Sequence, residues 1–348
     1  MLSYPIGLKP FFIAITLSMT LLGGWEYAAR RVGFGPWMED GKDLWAQQRA
    51  KAEHAGPDDV VLTGSSRVLF DIQLDAWEKE TGRRPIQLAL PGSNALPVAK
   101  DIADNTSFAG TLVIGVTPGL YFSPLTEAIS PWRRPMERVN HYYKRTYADK
   151  TGFWLSLPLQ RTFAFLENDD DTFYNDLDLR TVIKRIPLKP RVDPEPPFPF
   201  FGYVDEDRNM TMLDRVVTDT AYAGMIKRCW LFFNQSRPNQ SAEDMLKLRD
   251  ASVQMSVEIV NKIRSRGGKV IFVRCPSSGM YTTLEKTGFP RATYWDELLK
   301  ATGCKGYHYE DYELLNKYEP PEWSHLYTPD AKIFTRDLVR QMKHDGVL

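Results

Sequence analysis

Between residues 59 and 116 the sequence repeats one pattern: a short apolar run rich in β-branched residues, a turn signal, then apolar residues at helical spacing. Residues 59–63 (DVVLT) end at Gly64, and residues 70–81 carry helical spacing closed by Gly82. Residues 85–90 read as a second strand, 95–106 as a second helix and 111–116 (TLVIGV) as a third strand. Strands that alternate with helices at this spacing argue for a parallel sheet joined by right-handed crossovers, with helices on the sheet faces.

The alternation then breaks. From residue 119 to 214 the chain is rich in Pro, Arg and aromatics, with an acidic run at 169–171 and a proline cluster at 190–199. A stretch this long without a regular pattern reads as an insertion over the sheet, part helical and part irregular. Regularity returns at Ser241, where Ser241 and Asp244 make a helix N-cap signature and Gly267-Gly268 a stop. Residues 269–273 (KVIFV) predict a fourth strand, 293–302 a helix and 306–309 a short fifth strand. Thr328-Pro329 is read as the cap of a final helix running to about residue 344. The predicted class is α/β: a flavodoxin-like three-layer α/β/α sandwich with a parallel sheet. Its two parts, 36–118 and 241–348, flank an insertion at 119–240.

Residues 11–25 (FFIAITLSMTLLGGW) contain no charge, with Lys9 before them and Glu26, Arg30 and Arg31 after. A bilayer core asks for about 20 mostly apolar residues, so the run spans it when residues 4–8 and 25–29 extend it through the interface. The segment 1–35 is read as an uncleaved signal anchor, ahead of a removed signal peptide and of a buried core helix, because residues 27–29 make a poor cleavage site. Lys9 and the amino terminus favour a cytoplasmic start, which Arg30 and Arg31 oppose; the orientation adopted puts the folded part outside the cytoplasm, at the periplasmic or extracellular face. Lys+Arg and Asp+Glu are both 44, so the net charge is zero and nucleic acid is not the expected partner. The three cysteines show no metal-ligand spacing.

Two short stretches carry chemistry. Thr63-Gly64-Ser65-Ser66-Arg67 sits at the carboxyl end of the first strand, where open α/β sheets bind ligands. Glu322-Trp323-Ser324-His325-Leu326 lies just before the last helix. A serine nucleophile needs an imidazole to take its proton, and the imidazole needs an acceptor to fix its tautomer. Glu322 and His325, three apart in a loop, could supply both.

With these blocks the chain resembles the SGNH (GDSL-like) hydrolase superfamily. It is most similar to the membrane-anchored branch whose first block reads Gly-Ser-Ser-Arg and whose last reads Asp-x-x-His-Leu followed by Phe-Thr. Here the matching residues are Gly64-Ser65-Ser66-Arg67, Glu322 to Leu326, and Phe334-Thr335. The resemblance covers the α/β parts and not the insertion. It implies Ser66 as nucleophile, His325 as base and Glu322 as the group that orients His325. Gly92 matches the glycine whose N–H helps hold the oxyanion, and Thr117 stands where the family places an oxyanion-binding Asn. Activity should fall as acid protonates the imidazole.

The function implied is a membrane-tethered serine esterase or O-acyltransferase, transferring an acetyl group by preference, that acts on a cell-envelope polysaccharide through an acyl-enzyme. No metal or organic cofactor is called for. The membrane, an envelope polysaccharide or acyl donor, and a multi-spanning membrane O-acyltransferase are the expected partners. The alternative is a weak or inactive subunit that binds glycan or scaffolds an envelope acylation complex, for which Thr117 and Glu322 speak. Arg274, after the fourth strand, is read as facing the same crevice, either to bind an anionic substrate group or to form a surface ion pair. Cys275 reads as a small core residue. His141 and its aromatic neighbours read as a satellite core or a glycan- or membrane-facing cluster.

Overall fold

The computed structural model describes residues 8–31, 33–166, 196, 198–235 and 240–348. The acidic run at 169–171 and most of the proline cluster at 190–199 lie outside the described residues. Among them, five strands form a parallel sheet in the order β2-β1-β3-β6-β7. The strands are β1 (Val60–Thr63), β2 (Ile86–Gln87), β3 (Thr111–Gly115), β6 (Lys269–Arg274) and β7 (Lys305–His308); an antiparallel hairpin, β4 (Gly202–Val204) and β5 (Met210–Met212), lies between β3 and β6 in sequence.

Alternation along the strands builds two cores. Val60, Leu62, Val113, Ile271 and Val273 point to one face, while Val61, Leu112, Ile114, Val270 and Phe272 point to the other. A sheet buried on both faces needs apolar residues at every position, which is why these strands read as continuous runs. The first face is covered by the helices Ser66–Asp71, Leu74–Thr81 and Thr328–His344, through Leu69, Leu74, Trp77, Phe334 and Leu338. The second is covered by Lys42–Lys51, Leu96–Asn105, Ala242–Arg264 and Arg291–Thr302, through Trp45, Ile102, Ile259 and Leu298. Ser241 caps its helix as its spacing predicts, its hydroxyl accepting the Asp244 N–H at 3.1 Å.

Two helix ends differ from expectation. The helix predicted over 70–81 is two helices, Ser66–Asp71 and Leu74–Thr81, with Ile72 extended between them. The break frees backbone groups that must find partners. Thr335 supplies both: its hydroxyl accepts the Gln73 N–H at 2.8 Å and donates to the Asp71 carbonyl at 3.0 Å. Thr328 is not the cap of the last helix. Tyr327 holds that position, and the Thr328 hydroxyl accepts the Met212 N–H of β5 at 2.8 Å.

Strand β2 is an edge, and its outward carbonyls are covered from the middle of the chain. Arg208, fully buried at the hairpin turn, donates to the carbonyls of Gln87 at 3.0 Å and Ala89 at 2.9 Å while pairing with Asp40. An edge strand closed this way offers no template for a foreign strand.

At the amino end, the helix Leu8–Arg31 is long and apolar enough to cross a membrane. Its 24 residues span about 36 Å at helical rise. No part of its most apolar window is buried, so it is not a core helix. The three cysteines are buried and unbridged.

Candidate active site

The end of β1 can turn sharply into a helix because two glycines make room for one side chain. A Cβ on Gly64 would stand 2.4 Å from Val68 Cγ2, and one on Gly115, at the end of β3, only 2.0 Å from the same atom. Val68 therefore drops between the two strand ends, and the helix Ser66–Asp71 starts against the sheet. Ser65 is the N-cap, its hydroxyl 2.6 Å from Thr117 Oγ1. Ser66 is the first helical residue, where backbone N–H groups have no carbonyl within the helix.

The structure brings Ser66, His325 and Glu322 into one chain of hydrogen bonds. His325 Nε2 lies 2.7 Å from Ser66 Oγ, and His325 Nδ1 lies 2.8 Å from Glu322 Oε1. The same Glu322 oxygen accepts the His325 backbone N–H at 2.6 Å. With a carboxylate as partner, Nδ1 carries the hydrogen, and Nε2 is left to accept the serine proton. Glu322 and His325 are both buried, while Ser66 is partly exposed. A hydroxyl that a ligand can reach is thus paired with an imidazole screened from solvent.

The loop 322–326 is held at several points. Trp230 donates its indole N–H to Glu322 Oε2 at 2.5 Å. The Leu326 N–H donates to Asp71 Oδ1 at 2.8 Å, and the Ser278 N–H to the Trp323 carbonyl at 3.0 Å. Trp323 has a φ of +81°, a left-handed conformation that costs a residue of its size about 1–3 kcal/mol. The turn lets Glu322 reach back to His325, and Gly279 clears space for the indole, since a Cβ there would meet Trp323 Nε1 at 2.3 Å. Phe70 packs at 4.5 Å and Phe201 at 5.6 Å from the His325 ring.

The Asp71 carboxyl is buried, and its Oδ2 has no hydrogen-bond partner among the described residues. Burial pushes it well above the ordinary carboxyl range, against the pull of the Leu326 N–H and Arg67. Burial also pushes the Cys275 thiol well up, with neighbouring Asp71 adding to it, so Cys275 stays protonated as a core residue.

Gly92 and Thr117 reach the same end of the sheet. The chain after β2 continues alongside β1, with the Leu90 N–H donating to the Gly64 carbonyl at 3.0 Å, and so carries Gly92 past the serine turn. Gly92 has a φ of +61°, and Arg134 lies over it. The Thr117 hydroxyl is hydrogen-bonded to that of Ser65, and either can be the donor.

Arg274 is not brought to the serine. It is buried and pairs with Glu285, which also pairs with Arg67 at 2.7 Å and accepts the Ser277 hydroxyl at 2.7 Å. Burial alone would raise the Glu285 carboxyl, but Arg274 and Arg67 outweigh it and hold it down at about 2. The ion pair foreseen for Arg274 is thus an interior one, and its partner lies in the helix Gly279–Gly288, which the sequence did not predict. His141 bonds Asp43 Oδ1 at 2.8 Å and Tyr143 donates to Asp101, so the cluster is tied to the helices Lys42–Lys51 and Leu96–Asn105 with Tyr143 still exposed.

Sequence reasoning missed Trp230 and Asp71. Trp230 sits in a run of large apolar residues (CWLFF) that signals burial, with nothing to say against what. Asp71 had no marker, since the pattern over 70–81 is helical throughout and hides the break beside it. Among the described residues no group of three His, Cys, Asp or Glu is placed to hold a metal ion. The chain matches no family model and no curated protein sequence.

Proposed function

We propose that this chain is a membrane-tethered SGNH-type serine esterase or O-acyltransferase. The observation that carries the reading is the unbroken Ser66–His325–Glu322 relay, with links of 2.7 and 2.8 Å. The sheet order supports it: numbered within the sheet it is 2-1-3-4-5, the flavodoxin-like order, with β1 and β3 flanking the switch point. Ser66 stands at that switch point. The division into 36–118, an insertion at 119–240 and 241–348 follows from the same reading.

Ser66 Oγ attacks an ester carbonyl carbon while His325 Nε2 takes its proton. The N–H groups of Ser66 and Gly92 are assigned to hold the negative oxygen. The tetrahedral adduct collapses, the C–O bond to the leaving alcohol breaks, and His325 returns the proton to that alcohol. Water or a sugar hydroxyl then gives its proton to His325 and attacks the acyl carbon, restoring Ser66. Glu322 stabilises the imidazolium formed in each half.

An anchor at 8–31 with the folded part outside the cytoplasm keeps this site beside the membrane. It suits an acetyl donor or acceptor of the cell envelope, such as a polysaccharide, and a membrane-embedded O-acyltransferase as neighbour. One observation favours a second reading, a weak or non-catalytic glycan-binding or scaffolding subunit: Thr117, at the position of an oxyanion donor, has its hydroxyl engaged by Ser65. Loss of one such donor costs about 10²–10³ in rate.

Intact-mass labelling tests the reading. The wild-type chain and Ser66→Ala are treated with a fluorophosphonate and with an activated acetyl ester. One adduct on the wild type and none on the variant is the expected result. No adduct on folded wild type at neutral pH would overturn it in favour of the second reading.

A further inference from the structure

The helix Tyr147–Gln160 turns only part of its surface to the protein. Leu157 and Gln160 are buried and Phe153 packs partly into the core. The other side shows Tyr147, Trp154, Leu155 and Leu159, which are 84%, 68%, 57% and 50% exposed. Positions 147, 154, 155 and 159 fall on one face at helical spacing, so these side chains form a stripe. An exposed apolar stripe of this kind marks a surface that is covered in use.

Its place in the fold identifies the cover. The chain just after this helix is fastened to the last turns of the helix Leu8–Arg31. Glu26 accepts the N–H groups of Ala164 at 3.1 Å and Phe165 at 3.2 Å. Arg30 donates to the Thr162 carbonyl at 3.0 Å, and Trp25 packs on Phe165 at 5.3 Å. At the same end of the helix, Gln160 accepts the Glu39 N–H at 3.0 Å. Residues 25–30 are where an anchor that starts near residue 8 leaves the bilayer. A segment bonded to them lies at that boundary.

We propose that the helix Tyr147–Gln160 is a second membrane contact, lying on the leaflet from which the anchor emerges with Trp154, Leu155 and Leu159 in the headgroup–acyl boundary. Trp and Tyr favour that boundary, and leucines beside them supply the apolar contact. Exposed Lys144 and Lys150 near its other end suit anionic headgroups. Two contacts instead of one fix how the folded part sits over the lipid, which a single helix cannot do. The proposal rests on the anchor reading of residues 8–31.

Site-directed spin labelling of the full chain in phosphatidylglycerol-containing nanodiscs tests both separately. Leu17→Cys reports the anchor, Leu155→Cys the stripe, and Lys300→Cys, exposed on the helix Arg291–Thr302, the aqueous reference. The expected result is that labels at 17 and 155 both lose collisions with a water-soluble nickel complex and gain them with oxygen, relative to 300. A label at 155 as open to nickel as the one at 300, with 17 in the bilayer, overturns the proposal and leaves the anchor standing. Nickel access at 17 overturns the anchor reading and the proposal with it.

Discussion

Trp230 and Glu322 are joined by an indole N–H bond of 2.5 Å to the carboxylate oxygen that His325 does not use. The contact links the helix Thr220–Gln235 to the loop 322–326. It fixes the plane of the carboxylate and satisfies a buried lone pair that would otherwise be orphaned.

Trp230→Phe keeps the packing and removes the donor. A hydrogen bond to a charged group is worth about 1.5–3 kcal/mol, so Ser66 should react with a fluorophosphonate roughly tenfold or more slowly. Pseudo-first-order labelling rates measure this. An unchanged rate would show that the His325 contact alone orients Glu322.

Gly115→Ala should lower stability by about 1–3 kcal/mol, the usual cost of overpacking. The new methyl would sit 2.0 Å from Val68 Cγ2, and the strand cannot retreat because β3 is paired on both sides. Adding Val68→Ala should recover part of the loss, giving a non-additive double-mutant cycle in denaturant melts. Strict additivity would place the strain elsewhere.

Glu285 sets part of the acid limit. Its folded value of about 2 lies below the ordinary 4.5. Its contribution is therefore present above about 4.5 and lost as pH falls through about 2. Glu285→Gln leaves Arg67 and Arg274 facing each other and should cost about 3–5 kcal/mol at neutral pH. Its melting temperature should fall less than that of wild type between pH 4.5 and 2.

Asp71 has the opposite sign. Its folded value is raised above the ordinary 3.8, so the stability linked to its neutral form is present below that pH and lost as pH rises through the folded value. Asp71→Asn keeps an oxygen for the Leu326 N–H and cannot ionise. The variant should gain on wild type in melting temperature as pH rises from 4 to 8. A constant difference across that range would mean that the Asp71 carboxyl is not raised in the folded state.

The sequence made the sheet legible because strands buried on both faces must be apolar throughout, and residues 60–63, 111–115 and 269–274 are nearly so. Glu322 and His325 were legible from residue type and from their position before the last helix, and Ser66 rather than Ser65 was singled out by the resemblance. What could not be read was long-range pairing of polar groups. The pattern over 70–81 is helical throughout, and only Thr335, more than 250 residues later, shows why the backbone breaks at Ile72. Thr328-Pro329 has the form of a cap, yet β5 takes the hydroxyl. Arg274 ends a strand at the carboxyl edge, but Glu285 draws it inward. In each case the deciding partner lies beyond the local pattern.

Ser66 and His325 stand 259 residues apart along the chain. During synthesis the serine emerges early and has no imidazole partner until residue 325 has been made. On the reading proposed above, an incomplete chain is therefore chemically silent: the relay closes only when the loop 322–326 docks, and a product truncated before residue 325 lacks its base.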